Sequence, residues 1–318
     1  MSIVIAAYKS KRDHFVDSLS SALNQTYNSI EILVNDDSPK DELRSLILDY
    51  NDSRLKYQHN NPALGTALNH WQAFSRAKGD YIAILNHDDL ISPTFIEKLV
   101  YHLDKNPECV LAFCDHWIID SNGIIDVDKT NLNSVFYGRY DLPEGICASF
   151  TQLLLSQSIP LAMGSVIRSS SLPQNYPFAG PAYDLWLTYL LAKTGGSAYY
   201  LPERLSSWRN HEDNTTSAGG IAWLEDSANC WLSISKDPAF QSCRAKIRSK
   251  CASSLFACSM REWKNNRRMK SFKFALRSLI FCFNIKTVIM IILILCPYNM
   301  ISRLVSIFKI ASSARRRS

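Results

Sequence analysis

Apolar and polar residues alternate with two different periods along most of this chain. Short apolar runs predict buried strands, and between them apolar residues recur every three or four positions, as on one face of a helix. The predicted strands cover residues 2–7, 30–34, 55–59, 81–85, 110–119, 161–168 and 198–201. The predicted helices cover residues 13–25, 41–49, 65–77, 93–103 and 183–193. This alternation with short connections predicts an α/β fold, a mostly parallel twisted sheet flanked by helices.

Two stretches depart from this alternation. Residues 126–145 are polar and weakly periodic, which predicts an irregular connection. Residues 205–214 close the sheet region, and from about Ile221 onward the pattern is helical throughout. We therefore expect an α/β domain over residues 1–215 and a helical, basic region over residues 216–318.

Charge is distributed unevenly between these two parts. The 318 residues carry a net charge of +6, and the stretch from Arg261 to the end holds 13 Lys or Arg and one acidic residue. Such a basic stretch predicts contact with a polyanion or with an anionic membrane surface. Nucleic acid is disfavoured, because the basic residues are mixed with long aliphatic side chains and the sequence has no nucleic-acid-binding motif.

The apolar run Val288–Cys296 lies inside this basic region. It has nine residues, whereas a membrane-spanning helix needs about 20. We therefore expect a helix that lies in the plane of an anionic cytoplasmic leaflet or inserts only shallowly. The alternative is a helix buried against the α/β domain and followed by a solvated basic tail.

Cysteine usage and the N-terminal residues both favour the cytosol. The nine cysteines are odd in number, irregularly spaced and without a Cys-x-x-Cys pair, so disulfide frameworks and zinc sites are poorly supported. The first residues enter a predicted strand at once, without the basic start and apolar core of a signal peptide.

Clusters of acidic residues follow two of the predicted strands. Residues 82–89 read Ile-Ala-Ile-Leu-Asn-His-Asp-Asp, and residues 35–38 read Asn-Asp-Asp-Ser. Open α/β sheets bind ligands beyond the carboxyl ends of their strands, and carboxylate oxygens suit Mg²⁺ or Mn²⁺. The clusters therefore predict a metal-assisted site for a phosphorylated ligand. The alternative is that these acids only cap helices and polarise turns.

Four motifs occur in a fixed order between residues 2 and 212. They are Tyr8 after the first strand, Gln25-Thr26-Tyr27, the segment 31–38 and the segment 77–89. Their order and spacing resemble those of the family 2 glycosyltransferases. The resemblance implies a GT-A fold and an inverting transfer of a sugar from a nucleotide-diphospho-sugar, UDP- or dTDP-linked, to a hydroxyl group.

The resemblance also implies a role for individual residues. The nucleotide-binding positions are Ala6, Ala7, Tyr8, Asp37, Asn61, Gly65, Asn69 and Asp88. The metal-binding positions are Asn86, Asp88 and Asp89, with Mg²⁺ or Mn²⁺ as the cofactor, and Arg209 and His211 match the segment over the diphosphate. Asp184 matches the general base that takes the proton of the acceptor hydroxyl, and its alternative interpretation is a helix N-cap.

Several positions depart from the family pattern. Ala6 and Lys9 stand where Pro and Asn are usual, Asn86 replaces the first Asp of the metal motif, and Tyr183 replaces the acid that usually precedes the base. An amide oxygen can still coordinate a metal or hold a metal-bound water, so we expect weaker metal binding rather than none.

The implied partners are a nucleotide-sugar donor and a glycan or lipid-linked acceptor, as in bacterial surface polysaccharide assembly. The enzyme would then work in the cytoplasm at the inner face of the cell membrane, with peripheral contact through the C-terminal region. Two other functions stay open, a non-catalytic membrane-associated scaffold and a sugar nucleotidyltransferase. The second lacks support, because residues 6–9, Ala-Ala-Tyr-Lys, have no glycines for a phosphate-binding loop.

Overall fold

A computed structural model describes residues 1–174, 180–211 and 221–296. The chain divides into two compact units, Met1–Ala218 and Gly219–Ser318. The boundary predicted at residue 215 lies outside the described residues.

One nine-stranded sheet forms the centre of the first unit. Its strands are β1 (Ser2–Ala7), β2 (Glu31–Asp36), β3 (Leu55–His59), β4 (Tyr81–Asn86), β5 (Leu90–Ile91), β6 (Cys109–Ile119), β7 (Gly145–Ile146), β8 (Ser165–Arg168) and β9 (Ser197–Arg209). Their order is β3-β2-β1-β4-β8-β6-β9-β5, and β7 pairs with β9.

The sheet is mixed, and its strand directions bring the candidate residues to one edge. Strands β3, β2, β1 and β4 are parallel neighbours. Strand β8 is antiparallel to both β4 and β6, and β9 is parallel to β6. The carboxyl ends of β1, β2, β4, β6 and β9 therefore lie at the same edge of the sheet, which is where α/β folds bind ligands.

Seven helices of the first unit are described: α1 (Arg12–Leu23), α2 (Leu43–Asp49), α3 (Thr66–Arg76), α4 (Phe95–Lys105), α5 (Val127–Phe136), α6 (Phe150–Ser156) and α7 (Tyr183–Ala192). They cover both faces of the sheet. Along β1, Ile3 and Ile5 enter one buried cluster while Val4 enters the other. Because successive side chains of a strand point to opposite faces, a strand covered on both faces is apolar throughout, as β1 is.

The predicted irregular connection over residues 126–145 is wrong, because this stretch contains α5 and the start of β7. The inward positions of α5 are Thr130 and Ser134, which are fully buried, so a search for apolar periodicity misses the helix. The predicted strand over 161–168 is shorter, Ser165–Arg168, and the two segments predicted after residue 197 are one long strand, β9.

The second unit is helical, as predicted. Its helices are α8 (Ile221–Ile234), α9 (Arg244–Lys264), α10 (Arg268–Phe281) and α11 (Ile285–Leu295), with a 3₁₀ helix over Pro238–Cys243. The apolar run from Val288 lies in α11, which buries Met290 and Ile294 in a cluster with Ala275 of α10. Within the described ranges, no helix has both the length and the hydropathy needed to cross a membrane.

Candidate functional site

The carboxylate of Asp37 lies just beyond the end of β2 and is held on both oxygens. Oδ1 accepts a hydrogen bond from Asn60 Nδ2 at 2.8 Å. Oδ2 accepts from the backbone N–H groups of Leu64 at 3.1 Å and Gly65 at 2.7 Å. Gly65 has a φ of +85°, a conformation that glycine adopts without a steric penalty. Asp37 thereby fixes the loop that leads into α3.

Asn69 on α3 ties this loop to the two central strands. Its side-chain oxygen accepts from Asn60 Nδ2 at 2.9 Å. Its Nδ2 donates to the carbonyl oxygens of Asn35 at 3.2 Å and Ala7 at 3.4 Å. Ala7 in turn accepts from the backbone N–H of Asp37 at 2.9 Å. This group is therefore a closed network of buried polar atoms, the arrangement in which hydrogen bonds stabilise most.

The other predicted nucleotide-binding residues lie around this network. Ala6 and Ala7 are buried in β1, and Tyr8 directly after the strand is 51% exposed. Asn61 is exposed, whereas its neighbour Asn60 is 6% exposed and contacts Asp37. The sequence prediction named Asn61 and missed Asn60. The sequence alone does not show which of two neighbouring asparagines points toward Asp37.

Asn86, Asp88 and Asp89 stand at and just beyond the end of β4. Asp89 is fully buried, and its oxygens accept from Arg209 N at 2.8 Å and from Asn86 Nδ2 at 2.8 Å. Burial, followed by the charge of Asp88, raises the pKa of Asp89 well above its ordinary value. Asp88 is more open, with 14% of its side chain exposed, and its Oδ2 lies 2.9 Å from His211 Nε2.

This geometry supports Asp88 more than Asp89 as a metal ligand. Both carboxylate oxygens of Asp89 already accept hydrogen bonds from the protein, which differs from the open ligand that the sequence predicts. Asp88 and His211 present a carboxylate and an imidazole side by side. Across the described part of the chain, no group of three or more His, Cys, Asp or Glu side chains could hold a metal. The pair Asp88 and His211 fits Mg²⁺ or Mn²⁺ if phosphate oxygens of the substrate complete the coordination.

Arg209, at the end of β9, is 1% exposed and holds the loop that carries the two aspartates. Its Nε donates to the carbonyl oxygen of Asp88 at 2.8 Å, and its NH2 group contacts Asp17 Oδ2 at 2.9 Å. Its NH1 group donates to the carbonyl oxygen of Ser121 at 3.2 Å. Arg209 is predicted to contact a diphosphate. In the structure, its Nε, NH1 and NH2 groups each contact an acceptor of the protein.

His211 has a neighbour that the sequence prediction missed. Its ring centroid lies 5.2 Å from that of His14 on α1. His14 Nε2 lies 3.0 Å from the carbonyl oxygen of Ser121. Burial, and then the positive charge of Arg209, lowers the pKa of His14.

Asp184 lies in the first turn of α7. The N-cap position is Ala182, two residues before Asp184. Asp184 Oδ1 accepts from the backbone N–H of Leu185 at 2.8 Å. The side chain is half-buried, and removal of the carboxyl from water raises its pKa above the ordinary value.

An aromatic contact joins the first turn of α7 to α3. The ring of Tyr183, which directly precedes Asp184, stacks on His70 of α3 with centroids 4.1 Å apart. Burial lowers the pKa of His70 to about 4. Because His70 directly follows Asn69 in α3, the first turn of α7 lies against the helix that carries part of the Asp37 network.

Tyr137, at the end of α5, is affected by the charge of Asp184. Burial, followed by the negative charge of Asp184, raises the pKa of Tyr137. The guanidinium of Arg139 lies 5.5 Å from the Tyr137 ring centroid, and its Nε donates to buried Asp115 at 2.8 Å. No sequence signal pointed to Tyr137, because its segment was predicted to be irregular.

Comparison with known proteins identifies the family. The family model described as glycosyl transferase family 2 matches residues 2–159. An uncharacterized glycosyltransferase of Rickettsia typhi is 30% identical over 246 residues, which are 74% of this chain and 71% of the relative. The Escherichia coli UDP-Glc:α-D-GlcNAc-diphosphoundecaprenol β-1,3-glucosyltransferase WfgD is 30% identical over 60% of this chain and 69% of its own.

Solved structures agree with the fold. Staphylococcus aureus TarS 1–349 in complex with UDP-GlcNAc superposes with a TM-score of 0.60 at 15% identity, over 86% of this chain and 80% of TarS. The mannosyltransferase PcManGT of Pyrobaculum calidifontis, in complex with GDP-Man and Mn²⁺, gives 0.57 at 11% identity, over 91% and 77%. The GT-A fold predicted from the sequence is confirmed, and the chain belongs to glycosyltransferase family 2.

Proposed function

We propose that this enzyme transfers a sugar from a UDP- or dTDP-linked donor to a hydroxyl of a lipid-linked glycan, with inversion at the anomeric carbon. One observation carries the proposal. The helix that begins with Tyr183 and the half-buried Asp184 stacks on α3, which carries Asn69 of the rigid Asp37 network, and Asp88 lies just beyond the carboxyl end of β4. WfgD and a second relative, WfaP, have UDP-Glc and a diphosphoundecaprenol-linked sugar in their names, which supports this donor and acceptor class.

The Asp37 network is the proposed nucleoside end of the site. Its loop and the exposed Tyr8 stand beyond β1 and β2, at the carboxyl edge of the parallel strands. A fixed loop orients a ligand without first losing conformational freedom. Tyr8 offers an aromatic face to a base, and the backbone of Ala6 and Ala7 forms the floor.

The proposed diphosphate end is formed by Asp88 and His211. These two residues would hold Mg²⁺ or Mn²⁺, which, when bound, stabilises the negative charge of the departing diphosphate as a Lewis acid. Arg209 positions them, since its Nε holds the Asp88 carbonyl and its backbone N–H holds Asp89. Asn86 acts in the same way through its bond to Asp89.

Asp184 is the proposed general base. A hydroxyl that attacks the anomeric carbon loses its proton, and a carboxylate within hydrogen-bond reach takes it. The pKa of Asp184 is raised by its burial, which makes it a stronger base than an exposed carboxylate. Because the base and the leaving diphosphate act on opposite sides of the sugar, the reaction needs no covalent intermediate.

The second unit is the proposed membrane contact. Helices α10 and α11 and the short link between them carry apolar side chains that are 48–77% exposed: Met269, Leu276, Ile280, Phe283, Ile285, Ile289, Ile292 and Leu295. Lys270, Lys273 and Arg277 share α10 with them. An apolar face bordered by basic residues binds anionic lipid surfaces.

The exchange Asp184→Asn tests the proposed function most directly. We expect it to abolish transfer from UDP-glucose to a lipid-linked acceptor while calorimetry records unchanged binding of UDP-glucose with Mn²⁺. Asp37→Asn is the matched control, since it should weaken donor binding instead. Loss of donor binding in the Asp184 variant would show that this residue is structural.

Absence of both transfer and donor hydrolysis in the wild type, across a panel of nucleotide sugars, would favour the scaffold alternative.

Vesicle sedimentation tests the membrane contact. The variant Ile280→Gln/Phe283→Gln should lose binding to anionic vesicles, and Tyr101→Gln, an exposed aromatic residue of the first unit, should keep it. Equal binding by both variants would contradict this part of the proposal.

A further inference from the structure

The ring of His70 on α3 is buried and held in one orientation by its own helix. Its side chain is 3% exposed. Nδ1 lies 2.8 Å from the carbonyl oxygen of Thr66, one turn earlier in α3, and because a carbonyl oxygen only accepts, Nδ1 carries the proton and donates it. Nε2 is buried and has no hydrogen-bond partner within the described residues. Helix α3 therefore fixes the plane of this ring.

The fixed ring of His70 supports Tyr183, the first residue of α7. The two rings are stacked, with centroids 4.1 Å apart and an angle of 22° between their planes, and Tyr183 is 6% exposed. A buried stacked pair stabilises its own geometry beyond the effect of the buried area. An acid, which is usual in the family at position 183, cannot stack in this way, so the contact is a feature of this chain.

The stack connects the two ends of the candidate site through residues that are consecutive in the chain. Asn69, directly before His70, belongs to the Asp37 network. Asp184 directly follows Tyr183. A single stacked contact therefore lies between the turn of α3 that carries Asn69 and the turn of α7 that carries the proposed base.

The two helices also share apolar packing, and this packing is distinct from the stack. One buried cluster contains side chains from both helices: Ala67, Ala73 and Phe74 of α3, and Tyr183, Leu187 and Leu191 of α7. Apolar contacts of this kind bring the helices together but are not directional. The stack adds a preferred orientation at the first turn of α7.

We propose that His70 is a positioning residue, whose stack on Tyr183 holds the first turn of α7 and so sets the Asp184 carboxylate relative to the bound nucleotide. This inference rests on the proposed function, in which Asp184 is the base and the Asp37 network binds the nucleoside. A displacement of a reacting group by about 1 Å can lower the rate by roughly 10²-fold. A catalytic side chain therefore needs neighbours that hold its own element in place.

Kinetics with UDP-glucose and α-GlcNAc-diphosphoundecaprenol test this role. His70→Leu keeps an apolar side chain but removes the ring, and we expect kcat to fall roughly tenfold or more while KM for UDP-glucose changes less than about twofold. His70→Phe, which keeps a flat ring, should restore most of the lost kcat. The matched control is Phe74→Leu, which removes a buried ring one turn further along α3 and should keep the wild-type kcat. Wild-type kcat in His70→Leu, or equal losses in the two Leu variants, would overturn the inference.

The same exchange in the Asp184→Asn background shows whether His70 acts through the base. Residues that act as a unit have non-additive effects on the rate. Adding His70→Leu to Asp184→Asn should therefore lower the residual kcat by less than about twofold. A further loss of roughly tenfold would mean that His70 acts on another part of the reaction, and it would overturn the inference.

Hydrogen exchange keeps the inference separate from the proposed function. The backbone N–H of Trp186 bonds to the carbonyl oxygen of Ala182 at 3.2 Å, so amides 186–190 report on the first turns of α7. Their exchange should become roughly tenfold faster in His70→Leu and stay at the wild-type rate in His70→Phe and Phe74→Leu. If the wild type transfers no sugar, or if Asp184→Asn keeps full kcat, the proposed function fails and exchange still decides whether His70 holds this turn. Unchanged exchange in His70→Leu overturns the inference.

Discussion

The two ends of the candidate site hold their carboxylates in opposite ways. At the Asp37 end, both oxygens meet protein donors, and Asn60 and Asn69 complete a closed network. At the Asp184 end, the one hydrogen bond recorded for the carboxylate comes from the next residue of its own helix, among the residues that the structure describes. Tyr137, at the end of α5, is half-buried, and burial followed by the charge of Asp184 raises its pKa.

The comparison indicates a division of labour. A satisfied buried network makes one loop conformation far more stable than others, which suits the binding of an invariant nucleotide. A carboxylate that is removed from water and has few hydrogen bonds in return lowers the stability of the folded protein. Its pKa is raised for the same reason, which suits a base. The stability of this fold is thus concentrated at one end of the site and reduced at the other.

The largest expected effect is on catalysis at the Asp184 end. In Asp184→Asn, kcat should fall by about 10²- to 10⁴-fold, because the acceptor hydroxyl loses its base. The apparent KM for the donor should stay the same. Steady-state kinetics with varied UDP-sugar measures both, and a rise in KM at constant kcat would contradict the assigned role.

Substitutions at the Asp37 end should instead lower the free energy of unfolding. Asn60→Ala removes the donor to both Asp37 and Asn69, and leaving buried acceptors unpaired costs about 1–3 kcal/mol of unfolding free energy. Asn61→Ala, one position away and exposed, should change it by less than about 0.5 kcal/mol. Urea unfolding monitored by tryptophan fluorescence compares the two, and similar losses would show that the network is not what holds the loop.

A pH series tests another buried group without full compensation, His116 of β6. Both ring nitrogens of His116 are buried without a hydrogen-bond partner in the described structure, and burial lowers its pKa to about 3. Below pH 6.5, His116 binds a proton in the unfolded chain but stays neutral in the folded protein. The free energy of unfolding therefore decreases as the pH falls from 6.5 to about 3.

The variant His116→Leu should therefore unfold less readily in acid. We expect the difference from wild type to grow by up to about 1.4 kcal/mol for each pH unit below 6.5. Near pH 7 the two proteins should be similarly stable. Parallel stability curves between pH 4 and pH 7, obtained from thermal unfolding, would exclude His116 as a source of acid sensitivity.

The smallest expected effect is a gain in stability from the catalytic exchange itself. The folded pKa of Asp184 is raised, so its contribution to stability is full below the ordinary pKa of 3.8 and is lost as pH rises through the folded value. Asp184→Asn removes this loss. The variant should be more stable than the wild type near pH 7, and this advantage should vanish below the ordinary pKa of 3.8 in calorimetric scans.

Much of the fold could be predicted from local pattern. Strands β1 and β3 begin and end where the sequence predicts, although only β1 is an apolar run and β3 reads Leu-Lys-Tyr-Gln-His. Helix α5 escaped prediction because its buried side chains are hydroxyls bonded to β6, a reason that exists only once β6 is beside them. The same arrangement leaves Leu132, Val135 and Phe136 of α5 exposed.

The candidate site also has residues that the sequence could indicate and residues that it could not. The family resemblance selected Asp37, Asp88, Asp184 and His211 as candidates, and the structure places Asp37, Asp88 and His211 just after the ends of β2, β4 and β9. Spacing could not tell that Asp89 and Arg209 are buried against each other, that Asn60 rather than Asn61 meets Asp37, or that Tyr137 approaches Asp184.

The sequence by itself determined the family, the alternation of strands and helices and the acidic residues at strand ends, because these depend on residue types at short separations. Tertiary structure alone decided which carboxylates are open and which are satisfied. Burial and hydrogen bonding depend on residues far apart in the chain, such as Asp89 and Arg209, and they set both the pKa of a carboxyl group and its freedom to meet a substrate.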